Sequence, residues 1–351
     1  LMNKLFNYTK ITNSLFLMLG CIHTSYASEH TIQITKFGQA STQNSINYNN
    51  STANNVDELG ILLNQITHEQ NIKSQQAQTN YKPIANHPIT PNKTTSVAVS
   101  APAPQPKSYI VYDYNSRKIL DYKNPHMVLP IASVTKLMTA YTFLSLNKDP
   151  NCTNQITDED TDTLKGTRTR LPKYTDIPCH DLLKAMLVGS DNYAASSLAR
   201  AVRGYSKPQF IHAMNTQAKA FGMHNTHFKD SSGLSPQNVS TVSDLLTLSV
   251  HALNNRVISN ITSFTKTYAN PISNSPYRTV AFNNTNKLIR NGSYSALLSK
   301  TGYISEAGYN LVFVNGKRCQ NGLIGVISLN NSSSENRARF TMSKLAENGC
   351  F

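Results

Sequence analysis

Apolar and polar positions divide the chain into a polar first third and a regularly patterned remainder. Residues 28–106 are rich in Asn, Gln, Ser, Thr, Ala and Pro, and they end in a stretch where prolines alternate with other residues. Such a segment buries too little apolar surface to offset the entropy lost on ordering, and its Pro-rich end favours an extended spacer. We therefore predict a disordered tether at 28–106 and a folded domain at 107–351.

Inside that domain the pattern predicts strands at both ends and helices between them. Runs that alternate or are rich in β-branched residues predict strands at 108–113, 118–122, 296–300, 309–315 and 323–329. Apolar residues at helical spacing predict helices from about 131, and at 181–188, 193–202, 208–221, 244–254 and 335–347. This order favours one sheet built from both ends of the domain. The predicted fold class is α/β (α+β), with an antiparallel sheet flanked by helices and an inserted helical subdomain.

The first residues have the layout of an export signal. Lys4 and Lys10 precede a short apolar run, and small residues suit cleavage after Ala27. The run is shorter than the roughly 20 residues that span a bilayer, and nothing later in the sequence is typical of a transmembrane helix. We expect a signal peptide at 1–27 and a periplasmic protein. A lipid anchor at Cys21 is a less favoured alternative, because the residue three positions earlier departs from the lipobox pattern.

Composition and charge restrict the partners. The 351 residues include 33 Lys and Arg against 19 Asp and Glu, which gives a formal net charge of +14. This balance suits an anionic polymer, but the basic residues are scattered, so a dedicated nucleic-acid surface is not expected. There is no Cys-x-x-Cys, and the one tight histidine pair, His224 and His227, has no nearby Glu. We therefore expect neither a metal nor another cofactor.

Four cysteines would remain after export: Cys152, Cys179, Cys319 and Cys350. An even number in an exported protein indicates disulfides. Proximity along the chain favours Cys152–Cys179 and Cys319–Cys350, although two other pairings, or four buried thiols, remain open at this stage.

One apolar stretch carries a candidate nucleophile. Ser133 and Lys136 are three residues apart, so in a helix they share a face. A serine hydroxyl needs a base within hydrogen-bond reach, and this spacing can supply one. The same pattern occurs at Ser145/Lys148 and at Ser263/Lys266, so it decides nothing by itself.

Two further motifs distinguish Ser133. Ser190-Asp191-Asn192 separates two apolar helical runs, and Lys300-Thr301-Gly302 ends a strand-like run. Taken alone, Ser190 is equally consistent with the N-cap of a helix, and Lys300 with a solvated side chain at the end of a strand. In this order, however, the three motifs form the set found in serine β-lactamases and penicillin-binding proteins.

The surrounding residues resemble one family. The segment 132–140 resembles the nucleophile segment of the low-molecular-mass D-alanyl-D-alanine peptidases, peptidase family S11. Segment 228–245 also resembles that family, and residues 283–288 are similar to its D,D-endopeptidase branch. Residues 299–308 are similar to its D,D-endopeptidase branch. The resemblance covers the chain from about residue 107 onward and implies a serine β-lactamase/D,D-peptidase-like fold.

The resemblance implies a role for each residue near the nucleophile. Ser133 would attack the D-Ala carbonyl, and Lys136 would take its proton. For that, the pKa of Lys136 must fall from about 10.4 towards 7, roughly 4–5 kcal/mol of differential stabilisation. We expect burial, the helix N-terminus and Lys300 to lower it. Ser190 would relay a proton to the leaving amine, and Asn192 would hold Lys136 and the substrate amide.

The third motif would bind the rest of the substrate. By the same resemblance, Lys300 and Thr301 would hold the terminal carboxylate. Gly302 would let the substrate backbone lie against the strand. The backbone N–H groups of Ser133 and Tyr303 would stabilise the oxyanion.

The function implied is a serine D,D-endopeptidase that cleaves D-Ala–diaminopimelate cross-links in peptidoglycan. Its partners would be peptidoglycan peptides, with β-lactams as covalent inhibitors. A D-alanyl-D-alanine carboxypeptidase is the main alternative. It is less favoured because the sequence ends soon after the last predicted helix, without the added β-domain or amphipathic anchor common in that branch. A class A β-lactamase needs a deacylating glutamate, and none occurs between 191 and 299. A non-catalytic wall-binding protein would not need the intact motifs.

Overall fold

The structure, a computed structural model, describes residues 104–272, 279–320 and 322–350. All of them belong to one of the two units into which the chain divides, Asn50–Phe351. The signal peptide, the lipid anchor at Cys21 and nearly all of the tether therefore lie outside the described residues.

The strands of the described part form one large sheet and three small ones. Their bounds are β1 Ser108–Asp113, β2 Lys118–Lys123, β3 Leu129–Pro130, β4 Thr153–Gln155, β5 Asp176–Pro178, β6 Val239–Ser240, β7 Lys266–Ala269, β8 Val280–Asn283, β9 Ala296–Ile304, β10 Gly308–Asn315 and β11 Ile324–Asn331. The large sheet is antiparallel, in the order β2-β1-β11-β10-β9. Both ends of the domain thus contribute to it, as the sequence predicted.

Along the sequence, most helices lie between the N-terminal strands of the large sheet, β1 and β2, and its C-terminal strands, β9 to β11. Their bounds are α1 Lys136–Leu146, α2 Cys179–Val188, α3 Asn192–Ala201, α4 Lys207–Ala220, α5 Val242–Asn254, α6 Arg256–Ser263, α7 Lys287–Arg290 and α8 Ser334–Glu347. The predicted helices are confirmed to within a few residues. The sequence prediction missed α6, a helix of eight residues, and the four-residue strands β7 and β8.

Alternating side chains of the sheet supply two separate cores. On β1, Tyr109 and Val111 face α8, where the ring of Phe340 lies 4.8 Å from that of Tyr109. Ile110 and Tyr112 face the helical subdomain and join the larger apolar cluster. Because successive strand residues point to opposite faces, one hydrophobic strand can pack against helices on both sides.

Two disulfides close the surface segments. Cys152–Cys179 joins the residues before β4 to the first residue of α2, and Cys319–Cys350 joins the β10–β11 connection to the segment after α8. Both favoured pairings are therefore confirmed. The first bridge encloses the irregular segment that runs beside the candidate site.

Within the described ranges, no helix has both the length and the hydropathy needed to cross a bilayer. The same ranges contain no cluster of three or more His, Cys, Asp or Glu side chains that could hold a metal ion.

Candidate active site

Ser133 lies in a tight turn that leads into α1. Residues Ala132–Thr135 form a 3₁₀ helix, and the α-helix begins only at Lys136. The sequence prediction placed Ser133 in the first α-helical turn, so it was wrong about the local conformation. Ala132 has φ +49°, in the left-handed region that disfavours a Cβ. This conformation bends the chain immediately before the serine.

Neighbouring segments hold the turn in place. β3 pairs with β6, so that Pro130 lies opposite Val239. The backbone N–H of Ile131 donates to the Asn238 carbonyl at 2.9 Å. On the sheet side, the Asn310 amide donates to the Pro130 carbonyl at 3.0 Å. The backbone leading to Ser133 is thus fixed between the sheet and the loop before β6.

Two glycines allow this close packing. A Cβ on Gly302 would lie 2.7 Å from the Ile131 carbonyl oxygen and 3.1 Å from the Ser133 nitrogen. A Cβ on Gly233 would lie 2.0 Å from the Ala132 carbonyl oxygen, and Gly233 itself has φ +84°. The sequence predicts that Gly302 lets a substrate backbone approach the strand. The structure adds a second reason, since β9 packs directly against the turn of Ser133.

Lys136 is fully buried and makes three hydrogen bonds. Its Nζ lies 2.8 Å from Ser133 Oγ, 2.7 Å from Asn192 Oδ1 and 2.5 Å from the Ser232 carbonyl oxygen. Burial lowers the pKa of the Lys136 amine to about 7, against the opposing pull of the carboxylates of Asp230, Asp191 and Asp162. Of the three causes that the sequence analysis expected, burial is the dominant one.

These partners determine where a neutral Lys136 directs its lone pair. The Asn192 amide oxygen and the Ser232 carbonyl can only accept hydrogen bonds. A neutral amine has two N–H groups, which these two acceptors occupy. The lone pair then faces the Ser133 hydroxyl. The arrangement can therefore remove the hydroxyl proton.

A second lysine and serine meet beside the first pair. Lys300 Nζ lies 3.0 Å from Ser190 Oγ and 3.1 Å from the Thr301 carbonyl oxygen. Lys300 is 1% exposed, and burial, with Lys136 and Arg337 adding to it, holds its pKa well below the usual value.

Ser190 connects α2 to α3 in a strained conformation, with φ +58°. It is not the N-cap of α3. That position belongs to Asp191, whose carboxylate accepts from the Ala194 N–H at 2.9 Å. The interpretation of Ser190 as a helix N-cap is therefore wrong. Its hydroxyl contacts Lys300 instead.

The Lys300 motif lies in the middle of β9, not at a strand end as predicted. The strand continues to Ile304, because Ile304 packs with Ala132 and Ala307 in a small buried cluster. Thr301 Oγ1 lies 2.7 Å from Thr285 Oγ1.

Tyr303 follows the motif on the same strand and is 54% exposed. It is in register with Tyr309 of β10, and the two rings are 4.3 Å apart. Beyond them, the Arg337 guanidinium lies 5.9 Å from the Tyr309 ring centre. The aromatic pair therefore lies on the face of the sheet that carries α8, opposite to the face from which Lys300 points.

The structure separates the three Ser-x-x-Lys patterns. Lys148 Nζ bonds the backbone carbonyl of Ser145, and Ser145 Oγ turns back to the Tyr141 carbonyl. Ser263 Oγ likewise bonds the carbonyl of Asn260. Lys148 thus bonds only the backbone oxygen of Ser145, whereas Lys136 bonds the side-chain hydroxyl of Ser133.

Several residues that contact the site are not predicted by the sequence. The Ser232 carbonyl binds Lys136, and the Asp230 carboxylate fixes that loop by accepting from the N–H groups of Ser232, Gly233 and Ser235. In the sequence, this segment shows a family resemblance but no pattern that predicts a contact with Lys136. Thr167 also contacts Asn192, at 3.0 Å, and carried no sequence signal.

Comparison with known proteins supports one relationship. The chain matches the model of the peptidase S11 family, D-alanyl-D-alanine carboxypeptidase, over residues 95–332. It is 51% identical over 244 residues to a D-alanyl-D-alanine endopeptidase of Haemophilus influenzae, covering 70% of this chain and 82% of that protein. It is 35% identical over 232 residues to a D-alanyl-D-alanine endopeptidase of Escherichia coli, covering 64% and 73%.

A solved structure has a similar fold. The Streptomyces K15 DD-transpeptidase superposes with a TM-score of 0.64 at 25% identity, over 72% of this chain and 99% of that one. Together with the antiparallel sheet and its flanking helices, this likeness confirms the predicted fold class.

Proposed function

The chain belongs to peptidase family S11, the D-alanyl-D-alanine carboxypeptidase family, and from that membership we propose a D,D-endopeptidase acting through an acyl-enzyme on Ser133. As a member it is a serine hydrolase of the D,D-peptidase class. Its substrate is the D-Ala–diaminopimelate cross-link of peptidoglycan. The name of the relative at 51% identity supports endopeptidase over carboxypeptidase activity. The observation that carries the proposal is the meeting of Lys136 with Ser133, beside Lys300 and Ser190.

Acylation begins at Ser133. Its oxygen attacks the D-Ala carbonyl carbon, and the hydroxyl proton passes to the neutral amine of Lys136. The carbonyl oxygen becomes an oxyanion, which the backbone N–H groups of Ser133 and Tyr303 stabilise. General base assistance contributes about 10²–10⁴ in rate, and one oxyanion donor about 10²–10³.

The cross-link then breaks at its C–N bond. The diaminopimelate nitrogen leaves with the bonding electron pair and takes a proton from the Ser190 hydroxyl, which Lys300 holds at 3.0 Å. The proton that Lys136 took from Ser133 replaces it, so that Lys136 is neutral again. The donor peptide stays on Ser133 as an ester. Water then attacks that ester while the neutral amine of Lys136 accepts one of its protons. Lys136 passes this proton to Ser133 Oγ as the ester C–O bond breaks, and the D-Ala carboxyl group leaves and ionises.

The remaining residues bind substrate. Lys300 and Thr301 donate hydrogen bonds to the carboxylate next to the scissile bond, because an amine and a hydroxyl are both donors. The second N–H of the Asn192 amide holds a substrate carbonyl. Gly302 leaves the edge of β9 open for pairing with the substrate backbone.

The cellular setting follows from the same proposal. A signal-like segment at 1–27 and two disulfides support export to the oxidising periplasm. The positive net charge of +14 suits an acidic wall polymer. β-Lactams would act as covalent inhibitors, since they present the same type of carbonyl to Ser133.

Purified muropeptides test the substrate. The protein is incubated with a cross-linked dimer and with an uncross-linked pentapeptide monomer, and the products are followed by mass spectrometry. We expect the dimer to become two monomers. Release of D-Ala from the pentapeptide with the dimer left intact would instead assign a carboxypeptidase.

A further inference from the structure

A loop outside the three motifs contacts the Asn192 amide. Thr167 Oγ1 lies 2.6 Å from Asp162 Oδ2 and 3.0 Å from Asn192 Nδ2. The same amide presents Oδ1 to Lys136 Nζ at 2.7 Å. An unbroken chain of hydrogen bonds therefore runs from Asp162 through Thr167 and Asn192 to Lys136 and Ser133.

The direction of the hydrogen bonds in this chain is fixed at Asp162. Its Oδ1 accepts from the N–H groups of Leu164 and Lys165, and its Oδ2 accepts from the N–H and the hydroxyl of Thr167. Burial raises the pKa of Asp162, but these hydrogen bonds outweigh it and lower the pKa overall. The carboxylate is thus ionised and can only accept.

The Thr167 hydroxyl proton must therefore point at Asp162. Only its lone pairs remain for Asn192, so the amide must present its NH₂ group to Thr167. The amide oxygen is then left for Lys136. Without the hydroxyl, nothing in this chain would prevent a half-turn of the amide that brings NH₂ to Lys136.

That half-turn would disable the base. An N–H directed at Lys136 would occupy the lone pair that otherwise faces the Ser133 hydroxyl. We infer that Thr167 is a positioning residue of the peptidase: by setting the orientation of the Asn192 amide, it keeps the Lys136 lone pair free for Ser133. This inference rests on the proposed function, because it assigns Lys136 as the base.

The loop around Thr167 is anchored independently of the hydroxyl. The Thr167 carbonyl accepts from Tyr193 Oη at 3.1 Å, and Thr169 Oγ1 bonds Asp191 Oδ2 at 2.7 Å. Lys165 bridges to Glu306, in the β9–β10 turn, at 2.6 Å. Removing one hydroxyl should therefore leave the loop in place.

Three variants of the full-length chain test the inference. Thr167→Val keeps the shape and removes the hydroxyl, Thr167→Ser restores it, and Thr163→Val is a control at an exposed threonine of the same loop. The readouts are the second-order rate constant for acylation by a labelled penicillin from pH 5 to 9, and the melting temperature.

We expect Thr167→Val to lower the plateau rate at least tenfold, since a misplaced buried amide is costly. We also expect its pH midpoint to move down, because an N–H facing Lys136 disfavours the ammonium form. Thr167→Ser should stay within about threefold of wild type, and Thr163→Val should match it. If Thr167→Val does not fold, Thr167→Ala is expected to give the same kinetic change.

Two results would overturn the inference: a hydroxyl-free variant with wild-type rate and midpoint, or a Thr167→Ser variant as slow as Thr167→Val. The proposed function fails in a different way. In that case wild type itself would not react with penicillin at Ser133, whatever the residue at 167.

Discussion

Nζ of Lys136 lies 2.8 Å from Oγ of Ser133, at a position where the lysine is completely buried. A charged ammonium at this site would lose most of its hydration. Burial therefore favours the neutral amine of Lys136, which can accept the proton of the Ser133 hydroxyl. The same logic repeats in the pair of Lys300 and Ser190, 3.0 Å apart.

Acylation should depend on pH through Lys136. Burial lowers the pKa of Lys136 to about 7, so the neutral form grows as pH rises towards 7. We expect the rate constant for reaction with penicillin to rise about tenfold per pH unit below the midpoint and to level off above it. Because Lys300 is close and also shifted, the acid limb reports the two lysines together. A rate independent of pH between 5 and 9 would exclude Lys136 as the base.

The same pKa predicts how stability varies with pH. Unfolded Lys136 binds a proton up to about pH 10.5, whereas folded Lys136 releases it near 7. Between these values the unfolded state holds more protons, so stability rises with pH. Relative to Lys136→Met, wild type should gain about 2 kcal/mol in free energy of unfolding from pH 7 to 9. Urea titrations at both pH values measure this, and a constant difference would contradict it.

The sequence identified the three motifs of the candidate site, but not the backbone conformation and loops around them. The motifs of Ser133, Ser190 and Lys300 could be identified because each combines specific residue types at fixed spacing. The left-handed conformation of Ala132 could not, since it is imposed by β9 and by Gly233 from distant segments.

The irregular segments carried the least information. Thr167 lies in a loop without periodicity, and it matters only because Asp162 fixes its hydroxyl. The strand β9 extends past the predicted end because Ile304 finds a buried partner in Ala132, a contact no local pattern encodes. Apolar residues at helical spacing predicted α5, and a continuous apolar run predicted β10.

Gly233 should be essential to the shape of the nucleophile turn. An alanine there places a Cβ 2.0 Å from the Ala132 carbonyl oxygen, so the turn before Ser133 must move. We expect Gly233→Ala to reduce penicillin acylation at least a hundredfold and to destabilise the fold by more than about 2 kcal/mol.

Gly292 supplies the matched control. It also has positive φ, +71°, but a Cβ there meets nothing within 4 Å. Gly292→Ala should cost about 1 kcal/mol of stability through the backbone alone and leave the acylation rate unchanged. Equal acylation losses in both variants would show that strain, not contact with Ala132, is responsible.

The two disulfides should contribute differently to activity. Replacing either pair by serine should lower the free energy of unfolding by about 2–4 kcal/mol. Only loss of Cys152–Cys179 should also slow acylation, because this bridge encloses the loop of Asp162 and Thr167. Cys319–Cys350 lies at the β10–β11 connection and serves as the control. If acylation slows only in the variant that lacks Cys319–Cys350, this assignment is contradicted.

The most direct test of the account is to locate the acyl group. Wild type and Ser133→Ala are incubated with labelled penicillin, digested, and the modified peptide is sequenced by mass spectrometry. We predict one penicilloyl adduct per chain, on Ser133, and none on Ser133→Ala, with both proteins showing similar thermal unfolding. Labelling that persists in Ser133→Ala, or that maps to Ser145, Ser190 or Ser263, would contradict it.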